Sequence, residues 1–305
     1  MKNIKLGRSG LSVPTVAIGC MRIGGMSDHD AAAFIDKAMS LGANFFDHAD
    51  IYGGGGCEAK FASAYGMNDD KREKVILQSK CGIRPGRYDF SREHILSSVD
   101  GILSRLKTDY LDVLLLHRPD MLCEPEEVAE TFAILKNAGK VRNFGVSNHN
   151  PMQMMLLEKY LGTPIVANQI QMSITNCTAI SNGINVNMEN DRATMRDGSV
   201  VDFCRLNDIT LQAWSPFQYG FFSGVFIDNP KFEELNRKMK EVADAHGVTK
   251  TTIAIAWLLR HPAKIQPVTG TTNLVRLEDC IKAAEITLTR EEWYDIFRAA
   301  GNNIP

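Results

Sequence analysis

The chain has 305 residues, of which 44% are hydrophobic and 23% charged, a composition that is typical of globular proteins and excludes disordered and collagen-like chains. Its 34 basic and 36 acidic side chains leave a formal net charge of −2, so no overall positive field favours nucleic acid or an anionic membrane surface. No apolar run reaches the roughly 18 residues that a membrane-spanning helix needs.

The cysteines and the first residues indicate the cellular compartment. The seven cysteines are odd in number and include no C-x-x-C pair, which predicts neither a disulfide framework nor a cysteine metal site. The first ten residues, MKNIKLGRSG, lack the apolar segment of a signal peptide. We therefore expect a cytoplasmic protein with reduced thiols, and neither nucleic acid nor a membrane as its partner.

The pattern of apolar residues predicts an N-terminal β-hairpin and then eight strands. The hairpin joins residues 4–6 and 11–13 through the turn Arg8-Ser9-Gly10, and we expect it to cap one end of the domain. The eight predicted strands are short apolar runs, at residues 16–19, 44–47, 75–80, 111–117, 141–147, 166–171, 210–214 and 265–269. The runs VILQSK and LDVLLLH are apolar on both faces, as in parallel strands that are covered on both sides.

Segments with helical periodicity lie between these strands. Four of them carry start or stop signals, and they span residues 30–41, 91–107, 125–138 and 152–161. Ser91 and Asn150 stand at N-cap positions, Pro125 stands in a first helical turn, and Gly42 follows a helix end. Strands and helices therefore alternate along the chain.

Eight successive strand–helix units predict a closed (β/α)₈ barrel, the TIM-barrel fold, in a single domain of residues 1–305. A doubly wound open sheet is the alternative, but the segment AIGCMRIGG after the first strand lacks the G-x-G-x-x-G spacing and a helix start. Two predicted loops are long, residues 172–197 after the sixth strand and 215–230 after the seventh. Loops of this length in a compact domain are typical of lids or binding loops.

The ends of the predicted strands carry the candidate functional residues, because a barrel of this kind has its reactive face at the C-terminal ends of its strands. The second strand ends in Asp47, with Tyr52 just beyond it, the third ends in Lys80 and the fourth in His117. The later strands end in hydrogen-bonding groups and one large aromatic ring, namely Ser147, Asn148, Gln169, Trp214, Ser215, Gly270, Thr271 and Thr272. Four ionisable side chains therefore converge on one rim.

Taken singly, each of the four ionisable residues has a commoner structural role, such as a cap or a solvated charge. Together they can protonate an oxyanion. An ammonium on Lys80 would lower the phenol pKa of Tyr52 from its usual value near 10, which would make Tyr52 a general acid near neutral pH. Asp47 would keep Lys80 charged and oriented, and His117 would donate a hydrogen bond to a carbonyl oxygen.

Seven motifs, in this order, resemble those of the aldo-keto reductase family: FFDHADIYGGG, VILQSKCGI, LLLHRPD, GVSNH, ANQIQMS, LQAWSPF and PVTGTTNLVRLE. The segments DHADIYGG and SKCGI are most similar to a bacterial monomeric subgroup of that family. The resemblance implies a monomeric barrel that transfers a hydride from a nicotinamide cofactor to a small aldehyde or ketone. Matched residue by residue, the family's catalytic tetrad falls on Asp47, Tyr52, Lys80 and His117, with Tyr52 as the proton donor.

The same resemblance implies a dinucleotide site along the rim. Its residues are Gly19, Met21, Arg22, Ser147, Asn148, Gln169, Trp214, Ser215, Pro216, Phe217, Gly270, Thr271, Thr272, Asn273 and Arg276. Ser147, Asn148 and Gln169 match the nicotinamide amide contacts, and Trp214 matches the ring that stacks on the nicotinamide. Arg276 matches the 2′-phosphate region, and since a guanidinium suits phosphate geometry, the predicted cofactor is NADPH rather than NADH.

Three other functions stay open at this point. Lys80 could form a Schiff base in a lyase, although that chemistry needs a lowered lysine pKa and Asp47 would raise it. His48, Asp50 and His117 could bind a metal in a hydrolase, but no further histidine cluster completes a ligand set, so we predict no metal. A redox-sensing subunit that binds the cofactor with little turnover is compatible with the same residues.

Overall fold

The computed structural model describes residues 2–186, 188, 191, 194–195 and 198–302. The barrel strands are β3 (Ala17–Gly19), β4 (Phe45–Asp47), β5 (Ile76–Cys81), β8 (Leu111–Leu116), β9 (Val141–Ser147), β10 (Ile165–Gln171), β11 (Thr210–Trp214) and β12 (Gln266–Thr269). Two antiparallel hairpins lie outside the barrel, formed by β1 (Asn3–Lys5) with β2 (Ser12–Pro14) and by β6 (Ile83–Arg84) with β7 (Arg87–Tyr88).

The eight barrel strands are parallel and form a closed ring. Their order is β3-β4-β5-β8-β9-β10-β11-β12, and β12 pairs with β3 to close it. The predicted (β/α)₈ barrel is therefore confirmed, and the ends of each predicted strand agree with the observed ones to within one residue. Short apolar runs were sufficient because helices pack on the outside of the barrel and leave most strand residues buried.

Helices form the outer layer of the barrel. The described helices are α1 (Asp28–Ser40), α2 (Gly56–Tyr65), α3 (Asp69–Arg72), α4 (Arg92–Leu106), α5 (Pro125–Asn137), α6 (Pro151–Tyr160), α7 (Thr178–Ile184), α8 (Val200–Leu206), α9 (Glu233–His246), α10 (Lys250–Leu259), α11 (Leu274–Lys282) and α12 (Arg290–Ala299). Among these residues, no helix combines the length and apolar character that crossing a lipid bilayer requires.

The helix starts follow the predicted caps, with one difference. Ser91 caps α4, and Asn150 forms a reciprocal capping box with Gln153 at the start of α6. Helix α1 begins at Asp28 rather than at residue 30, because the Ser27 hydroxyl accepts a hydrogen bond from the Asp30 amide at 3.1 Å.

The N-terminal hairpin closes the bottom of the barrel, as predicted. Its first strand lies one residue earlier than expected and its second strand one residue later, with Asn3 opposite Pro14 and Lys5 opposite Ser12. Leu6 and Val13 are fully buried and pack in one cluster with inward-facing apolar side chains of the barrel strands. The opposite end of the barrel is therefore the open one.

The segment after β10 differs from the predicted loop. Part of residues 172–197 lies outside the described residues, and part of it forms helix α7. The run TAISNGI contains Ser, Asn and Gly, which are poor helix formers. Its helix is stabilised by tertiary packing, since Ala179 and Ile180 are buried in the core.

Candidate active site

A cavity of about 960 Å³ opens at the C-terminal ends of the barrel strands. It is lined by residues at or just beyond several strand ends, including Gly19, Asp47, His117, Gln169 and Trp214. Its volume lies at the upper end of the range for sites that bind small molecules or cofactors. The cavity is thus placed where the sequence predicted the functional residues to meet.

Lys80 is fully buried beneath this cavity, and all three of its ammonium hydrogens have acceptors. Its Nζ donates to Asp47 Oδ2 at 2.8 Å, to the His48 carbonyl at 2.7 Å and to the Tyr52 hydroxyl at 3.2 Å. Because an ammonium is only a donor, the Tyr52 oxygen must accept from it. The phenol proton of Tyr52 is therefore left to point towards a group in the cavity.

The charge state of Lys80 follows from its surroundings. Burial alone lowers the pKa of Lys80, but the negative charge of Asp47 and the hydrogen bonds to Asp47 and Tyr52 more than offset it, so the pKa lies above the usual 10.5. Lys80 therefore stays an ammonium at neutral pH. This disfavours the Schiff-base alternative, which needs a neutral amine.

The pKa of Tyr52 differs from the sequence-based expectation. Burial raises it above 10, and although the charge of Lys80 lowers it as expected, that contribution is smaller than the effect of burial. The expected lowering of the pKa was wrong, because the sequence did not show that partial burial of the phenol outweighs the charge of Lys80. Tyr52 keeps its proton at neutral pH, which is the state that a proton donor requires.

His117 faces Tyr52 across the cavity wall. The two rings meet edge to face with their centroids 6.1 Å apart. Burial, followed by the positive charges of Lys80 and Arg118, holds the pKa of His117 well below 6.5, so the ring is neutral. The His117 Nδ1 atom is buried and has no hydrogen-bond partner among the described residues.

Two glutamines hold Asp47 from the interior of the barrel. Gln78 Nε2 donates to Asp47 Oδ1 at 2.6 Å, and Gln169 Nε2 donates to the same oxygen at 3.1 Å. Both amides also donate to Gln212 Oε1, at 2.8 and 3.0 Å. Gln169, for which the sequence predicts a cofactor contact, holds in this structure the carboxylate that orients Lys80.

This glutamine network continues to the bottom of the barrel, and it ends in an acceptor on each side. Gln212 Nε2 also donates back to Gln78 Oε1 at 3.1 Å. Gln212 Nε2 donates to Gln266 Oε1 at 2.9 Å, and Gln266 Nε2 donates to the Pro14 carbonyl at 2.7 Å. Both ends of the network, the Asp47 carboxylate and the Pro14 carbonyl, can only accept, which determines the orientation of every amide between them. Sequence reasoning missed Gln78, Gln212 and Gln266, although each is a polar residue within an apolar strand.

A glycine-rich turn carries Tyr52 to its place. The chain runs from Tyr52 through a short 3₁₀ turn at Tyr52–Gly55 into α2, and Gly53, Gly54 and Gly55 all have positive φ. A Cβ on Gly55 would lie 2.7 Å from the Arg105 side chain, which donates to the buried carboxylate of Glu58 at 2.8 Å. Glycine is therefore required here both for its backbone conformation and for the close approach of Arg105.

Polar atoms from three strand ends form the part of the rim next to Trp214. Asn148, in a left-handed conformation with φ 58°, donates from Nδ2 to Ser147 Oγ at 2.8 Å, and its Oδ1 accepts from Trp214 Nε1 at 3.3 Å. The Ser147 hydroxyl donates to the Gln169 carbonyl at 2.8 Å. Trp214 is further packed against Phe222, with ring centroids 6.2 Å apart.

Most of the predicted site residues line the cavity. These are Gly19, Met21, Arg22, Asp47, Tyr52, His117, Ser147, Asn148, Gln169, Trp214, Ser215, Pro216, Phe217, Gly270, Thr271 and Arg276. Lys80 does not, because Tyr52 lies between it and the cavity. Thr272 and Asn273 do not line it either, and the Asn273 side chain caps α11 by accepting from the Arg276 amide at 2.9 Å.

Other cavity residues were not predicted. Arg118, Phe221 and Phe222 line the wall near Trp214, and they come from loops whose course the sequence did not show. Of the two long predicted loops, the one after β11 lines the cavity. None of the described residues of the segment after β10 does so.

His48 and Asp50 do not form a metal site with the residues described. Those residues include no group of three or more His, Cys, Asp and Glu side chains that could hold a metal ion. Both ring nitrogens of His48 are buried without a partner, and burial lowers its pKa to about 3. Burial raises the pKa of Asp50 to about 6. The metal-hydrolase alternative therefore has no ligand set in this part of the chain.

The fold and this rim agree with comparisons to known proteins. Residues 15–300 match the model of the Aldo/keto reductase family, so the chain belongs to that family. It is therefore an NAD(P)H-dependent oxidoreductase that reduces carbonyl compounds.

Curated relatives and solved structures of similar length support this assignment. The chain is 38% identical over 292 residues to the uncharacterized oxidoreductase YcsN of Bacillus subtilis, covering 92% of this chain and 91% of the relative. It is 35% identical over 304 residues to a 6-dehydroglucose reductase of Agrobacterium fabrum, covering 95% of each chain. The thermostable aldo-keto reductase Tm1743, solved with the inhibitor epalrestat, superposes with a TM-score of 0.79 at 28% identity, covering 98% of this chain and 100% of that one.

Proposed function

We propose that this protein is an NADPH-dependent reductase of aldehydes or ketones in which Tyr52 is the general acid. The observation that carries the proposal is the hydrogen bonding of Lys80, whose three donors hold Asp47, the His48 carbonyl and Tyr52 in one buried group. This arrangement leaves a protonated phenol at the wall of a large cavity.

The residues of the cavity fit a nicotinamide dinucleotide. The wall near Tyr52 offers the flat ring of Trp214 and the polar side chains of Ser147 and Asn148, which suit a planar group with an amide. At the other end, Arg276 lies in the first turn of the nine-residue helix α11, where a guanidinium and a helix N-terminus both favour phosphate. The chemistry that NADPH supplies when bound is a hydride for the carbonyl carbon.

The residues of this chain then handle the proton. As negative charge develops on the carbonyl oxygen, Tyr52 transfers its phenol proton to that oxygen and becomes a phenolate. Lys80 stabilises the phenolate through the hydrogen bond that it already makes to the Tyr52 oxygen, and Asp47 keeps Lys80 in place. His117, being neutral, donates a hydrogen bond to the same carbonyl oxygen without competing as an acid.

The direct test is reduction of simple neutral aldehydes by the purified protein, followed through the absorbance of NADPH and repeated with NADH. We expect turnover with NADPH and a lower kcat/KM with NADH, because Arg276 has no 2′-phosphate to bind in NADH. The absence of both NADPH oxidation and cofactor binding would refute the proposal. Cofactor binding followed by a single oxidation event without turnover would favour the redox-sensing alternative instead.

The Tyr52→Phe variant tests the role of the phenol. We expect kcat to fall by about two to four orders of magnitude, because a positioned general acid contributes that much, while the dissociation constant for NADPH changes little. Tyr160→Phe, which alters an exposed tyrosine on α6, serves as the matched control and should keep full activity. If Tyr52→Phe loses cofactor binding as well as activity, the assigned role is wrong.

The proposal includes the assembly and location of the protein. We propose a cytoplasmic monomer with a single domain over residues 1–305. All seven cysteines are free, which supports a reducing compartment. Light scattering coupled to size-exclusion chromatography should give the mass of one chain, and a concentration-dependent dimer mass would contradict the monomer.

A further inference from the structure

Arg118 stands beside the proposed reaction centre and is not used by the mechanism above. It directly follows His117 at the end of β8 and lines the same cavity. Its guanidinium lies 6.0 Å from the ring centroid of Trp214 and 5.8 Å from that of Phe221. The charge is therefore held in the wall of the cavity near the place where the carbonyl group would be protonated.

No acidic side chain in the described part of the chain neutralises Arg118, which makes no hydrogen bond or ion pair there. The nearby Asp120 carboxylate is occupied by the backbone amides of Phe90 and Leu122, each at 2.9 Å. The two acidic residues that line the cavity are also paired, Asp47 with Lys80 and Asp228 with Lys250.

The remaining charges make the cavity cationic. Arg22, Arg118 and Arg276 line it, whereas its two carboxylates are each neutralised by a lysine and His117 is neutral. Arg276, at the start of α11, is assigned to the cofactor phosphate. Arg118 instead directly follows His117 and acts on its pKa, so its charge is available to the molecule that is reduced.

The surroundings of Arg118 strengthen its attraction for an anion. Trp214, Phe221 and Phe222 form an apolar wall in contact with one another, with ring centroids 4.7 to 6.3 Å apart. Aromatic faces at about 6 Å stabilise a guanidinium only weakly. A carboxylate that accepts two parallel hydrogen bonds compensates the partly desolvated charge much better.

We propose that Arg118 binds a carboxylate of the substrate, so that the preferred substrates are aldehydes or ketones that carry a carboxylate a few carbon atoms from the carbonyl group. This inference rests on the proposed carbonyl reduction and deepens it. Arg118 acts here as a specificity-determining residue. The proton transfer itself remains with Tyr52.

The experiment compares two matched pairs of substrates that differ only in charge, para-carboxybenzaldehyde with its methyl ester and succinic semialdehyde with its methyl ester. The measured quantity is the ratio of kcat/KM for the acid to that for the ester. This ratio cancels any change in cofactor binding or in the pKa of His117, because both members of a pair depend on them equally. The proteins are the wild type, Arg118→Leu, Arg118→Lys and Arg237→Leu.

We expect the wild type to prefer the acid in at least one pair. Arg118→Leu should lower that ratio by about tenfold to a hundredfold, the usual effect of losing a hydrogen bond to a charged group. Arg118→Lys, which keeps the charge but loses the planar fork, should give an intermediate ratio. Arg237→Leu removes an exposed arginine on α9 and changes the net charge equally, so its ratio should equal that of the wild type.

Two results would overturn the inference. One is a wild-type ratio that Arg118→Leu leaves unchanged in both pairs, and the other is weaker NADPH binding by Arg118→Leu without any change in the ratio, which would assign the guanidinium to the cofactor. If Arg118→Leu folds poorly, Arg118→Lys provides the test instead. A ratio that Arg118→Lys leaves unchanged in both pairs would also count against the inference. Failure of the proposed function is distinct, since no ester would then be reduced by any variant.

Discussion

Lys80 shows how a fully buried charge is accommodated in this protein. Its ammonium has three donors and three acceptors, so no hydrogen-bonding capacity is lost on burial. Its charge is balanced by Asp47, which is itself 2% exposed. Buried ion pairs of this kind contribute little net stability, but removing one partner leaves the other charge unpaired in an apolar medium.

Replacing Lys80 with Met should therefore be costly to stability as well as to activity. We expect the free energy of unfolding to fall by about 3–5 kcal/mol, because the Asp47 carboxylate then stays buried without its cation. Lys140→Met provides the control, since Lys140 pairs with Asp100 on the surface and exposed pairs contribute at most about 1 kcal/mol. Urea unfolding of both variants measures the difference, and equal losses would contradict this account of Lys80.

The His48 side chain is fully buried, and its two ring nitrogens make no hydrogen bond in the described chain. The ring meets Phe61 edge to face with centroids 4.8 Å apart. Burial, together with the charge of Lys80, lowers the pKa to about 3. The ring therefore acts as an apolar side chain that carries two unsatisfied polar atoms.

This residue should make stability depend on pH in a defined direction. The folded pKa of His48, about 3, lies below the usual 6.5, so between these values only the unfolded chain binds the proton, and the free energy of unfolding falls as the pH falls. In His48→Leu this contribution is absent. We expect the variant to gain stability relative to the wild type as the pH is lowered from 6.5 towards 3 in chemical unfolding experiments. A pH-independent difference would show that His48 is protonated equally in both states.

The barrel strands are joined by side chains as well as by their backbone ladders. Gln78 on β5, Gln169 on β10, Gln212 on β11 and Gln266 on β12 span the interior by hydrogen bonds and connect the Asp47 carboxylate to the N-terminal hairpin at Pro14. Polar networks in a buried setting specify one arrangement when every member is satisfied. Side-chain hydrogen bonds thereby connect strands on opposite sides of the barrel and fix the position of Asp47 between them.

Gln212→Leu should disrupt this network at its centre. It leaves the carbonyl oxygens of Gln78 and Gln266 without the donor that Gln212 supplies, whereas the Gln169 amide keeps its bond to Asp47. We expect a loss of about 2–3 kcal/mol in the free energy of unfolding and a lower kcat through misplacement of Asp47. Gln212→Glu, which keeps the acceptor and the shape, tests whether the donor side matters separately. Unchanged stability and kcat in Gln212→Leu would mean that the network is not needed to position the carboxylate.

The two ends of the barrel have different physical characters. At the open end, polar and charged strand ends surround the cavity, whereas at the closed end the hairpin presents Leu6 and Val13 to an apolar cluster. Stability and chemistry are therefore assigned to opposite ends of the same strands, as is usual for this fold.

Shortening a buried side chain beside the N-terminal hairpin should lower the stability of the protein. Leu6→Ala removes a fully buried side chain, and we expect the free energy of unfolding to fall by about 2–5 kcal/mol through lost burial and the cavity that remains. Leu206→Ala, at an 83% exposed leucine, is the control and should change it by less than about 0.5 kcal/mol. Thermal and urea unfolding provide the measurement, and a small effect of Leu6→Ala would show that the hairpin is not needed to seal the barrel.

Much of the architecture could be predicted from local patterns. Short apolar runs marked every barrel strand, and Ser91 and Asn150 marked helix starts, because these signals act over a few residues. The meeting of Asp47, Lys80 and His117 could also be predicted, since the carboxyl ends of parallel strands share one rim. Helix α7 was missed because packing of Ala179 and Ile180 outweighs the poor helix propensity of its sequence.

The amino-acid pattern alone was sufficient for the barrel, for its reactive end and for the residue types that meet there, because periodicity and strand order depend only on neighbours along the chain. Only the tertiary structure decided that burial raises the pKa of Tyr52, which amides surround Asp47 and that Arg118 lacks an acidic partner in the described chain. These properties depend on desolvation and on contacts between residues far apart in sequence. They arise when the barrel closes.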